Sequence, residues 1–117
     1  MMTQRENIEL HADDVVFDIA IIKNASTEAL MGLLPMNLKM EDLNGNEKYC
    51  YIDHHLPTSI KKIEMIKRGD VMLFGDDCLV IFYKDHMTTY SYTTIGHIDD
   101  MRGFEEALSK AVQLVIR

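Results

Sequence analysis

Three tyrosines and a polar turn offer this sequence its best prospects for chemistry. Tyr83 stands in "FYK", and Tyr90 and Tyr92 stand in "TTYSYTT". A tyrosine combines a broad apolar ring with a hydroxyl at its tip, so a few of them can line a pocket and still offer hydrogen bonds. On a strand, Tyr90 and Tyr92 share one face, while Thr89, Ser91 and Thr93 share the other. Either set can be the buried one. Asn46 and Glu47, in "DLNGNEKY" (Asp42 to Tyr49), add hydrogen-bonding groups beside a glycine. Asn46, Glu47, Tyr83, Tyr90 and Tyr92 therefore form the candidate ligand-binding set. The competing interpretation keeps the tyrosines as ordinary packing and lets Asn44, Asn46 and Glu47 bond only their own loop.

Other chemistries find less support in the residues. His54 and His55 are adjacent, so on a strand they point to opposite faces and share no ion. On a loop they could share one with Asp53 or His86, but adjacent histidines on a solvated loop need no metal, and none is assigned. His97, after Gly96 and before the Asp99–Asp100 pair, reads as a turn residue. Cys50 and Cys78 form no CxxC pair, and each sits in an apolar-flanked strand segment where cysteine behaves as a small hydrophobe. A cysteine nucleophile needs a neighbouring base, which linear spacing does not supply. No catalytic residue and no cofactor are assigned.

The elements that must position these residues begin with the polar turn. Asn-Gly between alternating segments is the strongest short hairpin signal, because both central residues of a type I′ turn need positive φ. A two-residue turn at Asn44-Gly45 would set Met40 against Tyr49 and Asp42 against Glu47. Like charges directly opposite each other destabilise a strand pair. A wider loop that takes in Asn46 and Glu47 avoids the clash and is preferred.

"VVFDIAII" (Val15 to Ile22) is a strand and forms a hairpin with "IELH" across "ADD". "NASTEALMGLLP" changes to helical spacing at Ala29, Leu30, Leu33 and Leu34, with Asn24 or Ser26 as cap and Pro35 as terminator. "MNLKMEDL" alternates as one half-buried strand, and "KYCYI" is the next. "HHLPTSIKKIEMIKRGD" reads as loop with at most a turn of helix. "DVMLFG" and "CLVIFYK" pair through Gly75 to Asp77, "DHM" turns the chain, and "TTYSYTTIG" follows. Asp99 and Asp100 are placed to cap a short helix through "GFEEALSK", and "AVQLVIR" closes the chain as a strand. The expectation is a mainly-β closed barrel of about eight strands with two short helices. Closure also removes the open edges that such apolar strands would expose.

A chain of 117 residues holds one core, so residues 1–117 are taken as a single domain with a polar N-terminal extension over about 1–7. A net charge of −7, from 12 basic and 19 acidic residues, repels phosphate backbones and argues against nucleic acid. The basic concentration at Lys61, Lys62, Lys67 and Arg68 reads as a solvated edge. No apolar run reaches the roughly 18 residues needed to span a bilayer, and the N-terminus lacks the apolar stretch of a signal peptide. A cytoplasmic location with reduced cysteines is expected. Nine methionines supply apolar surface for self-association, so a homo-oligomer is also an expectation.

The strings "DLNGNEKY", "GDVMLFGDDCLVIFYK" and "TTYSYTTIG", in that order, resemble the bacterial cyclophilin-like domain family, whose small domains occur alone or fused to flavodoxin-like proteins. "ALMGLLP" is similar to that family's helix ending, and the resemblance runs from Val15 to Leu108. It differs at Met87, where an aromatic residue is usual, and at the paired histidines. The resemblance implies a closed cyclophilin-like barrel with helices capping its ends, no defined reaction, and a flavodoxin-like protein as a partner to consider. True cyclophilins isomerise prolyl bonds, which requires an apolar proline pocket and a cationic donor. Arg5, Arg68, Arg102 and Arg117 all lie outside the cyclophilin motif contexts, and fold alone does not confer activity. The expected function is a non-catalytic binding module for a small molecule or peptide segment. The alternatives are a peptidyl-prolyl isomerase or an interaction domain for a flavodoxin-like partner.

Overall fold

The computed structural model describes residues 6–117. Most of the expected polar extension, residues 1–5, lies outside the described residues, and Asn7 already belongs to a strand. The elements in chain order are β1 (Asn7–Ala12), β2 (Val15–Ile21), α1 (Ala25–Met31), β3 (Met36–Lys39), β4 (Glu41–Leu43), β5 (Glu47–Tyr51) and β6 (Lys61–Lys62). There follow β7 (Met65–Ile66), β8 (Asp70–Phe74), β9 (Cys78–Phe82), β10 (His86–Met87), β11 (Ser91–Ile98), α2 (Phe104–Lys110) and β12 (Gln113–Ile116).

The main sheet runs β3-β12-β1-β2-β11-β8-β9-β5-β4. Its two end strands are halves of one segment, 36–43, divided at Met40. The Met40 N–H donates to the Val112 carbonyl at 2.7 Å, the last step of the β3–β12 register, before Glu41 begins pairing with β5. The nine strands on this path thus make eight staves, and the sheet is a nearly closed, mainly-β barrel. The single strand expected over "MNLKMEDL" is therefore two, because its first half pairs β12 and its second half pairs β5.

Alternation decides what faces inward. Ile8 and Leu10 of β1, Leu73 of β8, Leu79 and Ile81 of β9, and Leu114 and Ile116 of β12 are all fully buried in one cluster inside the barrel. Leu30 of α1 joins this core, as do Phe104 and Leu108 of α2, and the Phe104 ring meets Phe17 edge to face at 5.1 Å. Burying a side chain of this size contributes roughly 1.5–3 kcal/mol. β9 is buried at every position because its outer face is also covered. Met72, Cys78, Val80, Phe82 and Tyr92 form a second cluster there with Ile66. A strand buried on both faces loses its polar alternation, which is why "CLVIF" is apolar throughout.

Several local expectations are corrected. The 52–69 connection holds no helical turn; it carries β6, which pairs β11, and β7, which pairs β10. "DHM" is therefore not a turn, since His86 and Met87 form β10. Asp99 and Asp100 do not cap α2, whose N-cap is Gly103 without a side-chain bond. Asp100 is held by the Arg102 guanidinium instead, at 2.7 Å. His97 is a strand residue rather than a turn residue, with Nδ1 2.8 Å from Asp70 Oδ1. The α1 cap is Asn24, whose side chain accepts the Thr27 N–H while Thr27 Oγ1 accepts the Asn24 N–H. Gly96 lies where a Cβ would come 2.5 Å from the Ala20 carbonyl oxygen, so β11 can pair with β2 there, and bulge against β8, only without a side chain. Among the described residues, no helix is long and apolar enough to cross a membrane.

Candidate functional site

The site begins at the hairpin between β4 and β5. Asn44 and Gly45 both have positive φ, 57° and 66°, and the Leu43 carbonyl accepts the Asn46 N–H at 3.0 Å. That is the type I′ pair the sequence calls for, with Asn46 added before the ladder resumes. The wider loop takes in Asn46 but not Glu47, which opens β5 opposite Leu43. The extra residue shifts the register by one, so Asp42 faces Lys48 rather than Glu47. Repulsion is replaced by an ion pair, Lys48 Nζ to Asp42 Oδ1 at 3.7 Å.

From this register follows a division of side chains along β5. Lys48 and Cys50 turn toward the barrel interior, while Glu47, Tyr49 and Tyr51 turn outward. Their cross-strand neighbours on β9 are Phe82, Val80 and Cys78, and Cys78 in turn faces Phe74 on β8. β11 completes the wall. Its hydroxyl residue Thr93 pairs with the interior Leu73, whereas Tyr92 lies on the outer side. The result is a groove on the outside of the barrel in two adjoining halves. One, about 320 Å³, is floored by Glu47, Cys78 and Val80 and walled by Tyr49, Tyr51, Phe74, Tyr90 and Tyr92. The other, about 650 Å³, continues past Glu47 toward Asn44, Asn46 and the His86–Thr89 segment.

The groove thus brings together four of the five expected residues: Asn46, Glu47, Tyr90 and Tyr92. Tyr83 stands apart. It is buried in the interior cluster, and its hydroxyl donates to Asp42. Tyr90 is 62 % exposed, and its ring meets Phe74 edge to face at 5.7 Å. Tyr92 is buried between Phe74 and Phe82. Sequence reasoning missed Tyr49, Tyr51, Phe74 and His86. The period-two spacing of Glu47, Tyr49 and Tyr51 in "EKYCY" was the signal for two of them, whereas Phe74 and His86 reach the groove only through tertiary pairing.

Glu47 is the unusual group. It is only 8 % exposed, and no hydrogen bond reaches its carboxylate among the described residues. Its ion-pair contact is His86 Nε2, 3.8 Å from Oε1. Burial pushes its carboxyl above the usual range, His86 opposes that shift, and Asp42 adds to it. Asp42 behaves in the opposite sense. Burial works against its ionised form, but the Tyr83 hydroxyl, the Gly45 N–H and the Lys48 ammonium outweigh it and hold the carboxyl below its ordinary value. Burial and Asp42 together push the Tyr83 hydroxyl up.

Nucleophilic and metal chemistry fit the site poorly. Burial pushes the Cys78 thiol up to about 11, so it stays protonated and unreactive near neutrality. Of the paired histidines it is His55 that meets acids, with Nδ1 3.0 Å from Asp76 Oδ1 and Asp77 close by. It joins the β8–β9 turn rather than His54, Asp53 or His86. These exposed groups could approach a cation, but an exposed His–Asp pair on a turn is ordinary surface chemistry. Lys61, Lys62, Lys67 and Arg68 are exposed, and none of them lines the groove.

Comparison with curated proteins gave no match. Comparison with protein families gave one, the cyclophilin-like family, over residues 10–117. With that match spanning nearly the whole barrel, from β1 to the last strand, the chain belongs to the cyclophilin-like family.

Proposed function

We propose that this protein is a non-catalytic binding module that takes a small molecule or a peptide segment in the outer groove. The observation that carries the reading is Glu47, a mostly covered side chain whose carboxylate accepts no hydrogen bond among the described residues and lines the groove, set among the rings of Tyr49, Tyr51, Phe74, Tyr90 and Tyr92. Apolar walls with a small number of placed polar groups are what ligand sites require. Neither half of the groove is lined by an arginine or lysine, so a prolyl isomerase would lack the strong cationic donor its twisting amide needs. We also propose a cytoplasmic location, where both cysteines would stay reduced.

Titrating the 15N-labelled chain with a peptide panel and pooled metabolites tests the reading. Saturable shifts are expected at the amides of Glu47, Phe74 and Tyr92. Ligands that perturb only other surfaces would defeat it. So would proline-peptide turnover, in a protease-coupled assay, that one groove substitution abolishes.

An interaction domain is favoured by one further observation. Leu43, Tyr51, Phe74, Met87 and Tyr90 are exposed apolar residues around the same groove. Under that reading, affinity capture recovers a recurrent flavodoxin-like partner, and Met87→Asp, at a 71 % exposed position, abolishes the capture.

A further inference from the structure

We propose that the ligand group seated in the groove is an alkylammonium, its charge on Glu47 and its methyl or methylene surface against the aromatic rings. This rests on the groove being a ligand site and names the chemistry of what enters it.

The Glu47 carboxylate is the first support. The Glu47 side chain is 11 % exposed, and His86 at 3.8 Å is its sole ion-pair contact among the described residues. Its oxygens accept no hydrogen bond from the described residues and stay within reach of whatever fills the groove. A cation in the groove supplies the missing partner. The rings are the second. Phe74 meets Tyr90 at 82° and Tyr92 at 58°, and Tyr49 meets Tyr51 at 86°. Rings set at steep angles form walls rather than a stack, and aromatic faces attract a cation within about 6 Å. The third is the charge around them. Lysine and arginine are missing from the lining, and the chain carries −7 overall. An anion would meet Glu47 and a negative surface, and a neutral group would leave the carboxylate as it stands. A cation is the one charge type that both Glu47 and the rings favour.

The same chemistry is available from a free quaternary amine or from a methylated lysine in a peptide. The test uses the full chain, 15N-labelled, titrated with three probes. These are choline, its uncharged carbon isostere 3,3-dimethylbutan-1-ol, and a short peptide bearing trimethyllysine. We expect choline or the peptide to shift the Glu47, Phe74 and Tyr90–Tyr92 amides saturably, with the isostere at least tenfold weaker. Glu47→Gln should weaken the cation at least tenfold while leaving the circular dichroism spectrum intact. Tyr90→Ala, at an exposed position, should weaken it severalfold. Whichever of the two cation sources binds more tightly identifies the source and supports the proposal.

Equal binding of choline and the isostere would overturn the charge assignment and leave the groove standing as an apolar site. Unchanged choline affinity in Glu47→Gln would overturn it equally. If none of the probes shifts the groove amides, the alkylammonium assignment is wrong. The broader binding reading then stands or falls on the peptide and metabolite titration.

Discussion

The two faces of β5 and β9 make opposite demands on their side chains. On the inward side, polar groups come with partners: the buried Lys48 ammonium of β5 and the Tyr83 hydroxyl, just past β9, both converge on Asp42 at the edge of β4. Outside, Glu47 of β5 is mostly covered yet receives no hydrogen bond among the described residues, and Tyr51 of β5 and Tyr90, just before β11, stay exposed beside it. The interior is satisfied and closed, the groove is apolar and open. The difference teaches that register parity alone separates the residues that hold this fold from those that can meet a ligand.

The sharpest way to break that contrast is to truncate one side chain on each face. Leu79→Ala, at a fully buried interior position, should cost about 2–5 kcal/mol in urea unfolding, because the cavity it leaves cannot collapse. Equal costs for Leu79→Ala and the exposed Tyr90→Ala would erase the distinction between the faces.

Asp42→Ala should cost less, about 1–3 kcal/mol by the same measurement. It strands the Lys48 ammonium and the Tyr83 hydroxyl, but the exposure of Asp42 itself screens part of the loss. Because the Asp42 carboxyl is depressed in the fold, its contribution is present above its unfolded value of 3.8 and is lost as pH falls through the lower folded value. Acid unfolding of the Asp42→Ala variant should therefore show a shallower dependence below pH 4.

Glu47→Gln should move stability the other way. The Glu47 carboxyl is raised in the fold, so the stability it contributes is full below its unfolded value of 4.5 and is lost as pH rises through the folded value. The charged groups facing it are His86 and Asp42, and Tyr92 and Cys78 border it. Removing the charge should stabilise the chain by about 0.5–1 kcal/mol at pH 7, as substitutions at strained functional positions do. The gain should vanish below pH 4, and thermal melts across pH 4–8 would detect it. A loss of stability at pH 7 would mean that the carboxylate is held rather than available.

The smallest effect belongs to Tyr90→Ala, at about 0.5 kcal/mol or less in urea unfolding. Its ring rests on Phe74 at the open rim, where little apolar area leaves water.

Much of the fold was legible because its signals are local. The Asn44-Gly45 turn is written in two residues, and the charge conflict between Asp42 and Glu47 correctly argued against the tightest loop. The Asn24 cap and the apolar runs of β8 and β9 are equally local. Tyr90 and Tyr92 were identified as a pair because alternation is visible in a string, and Tyr49 and Tyr51 carried the same signal. His86 and Phe74 were not legible as groove residues, since one arrives on a two-residue strand paired to β7 and the other across a hairpin.

The sequence by itself determined the strand-rich pattern, the turn chemistry and which side chains along each strand share a face, since these depend on neighbours two to four positions away. Tertiary structure alone decided that segment 36–43 joins both ends of the sheet, that Tyr83 turns inward onto Asp42, and that Glu47 lies among rings brought together from β5, β8 and β11. Those outcomes depend on pairing between residues far apart in the chain, and such pairing is selected by how the closed barrel packs rather than by any local preference.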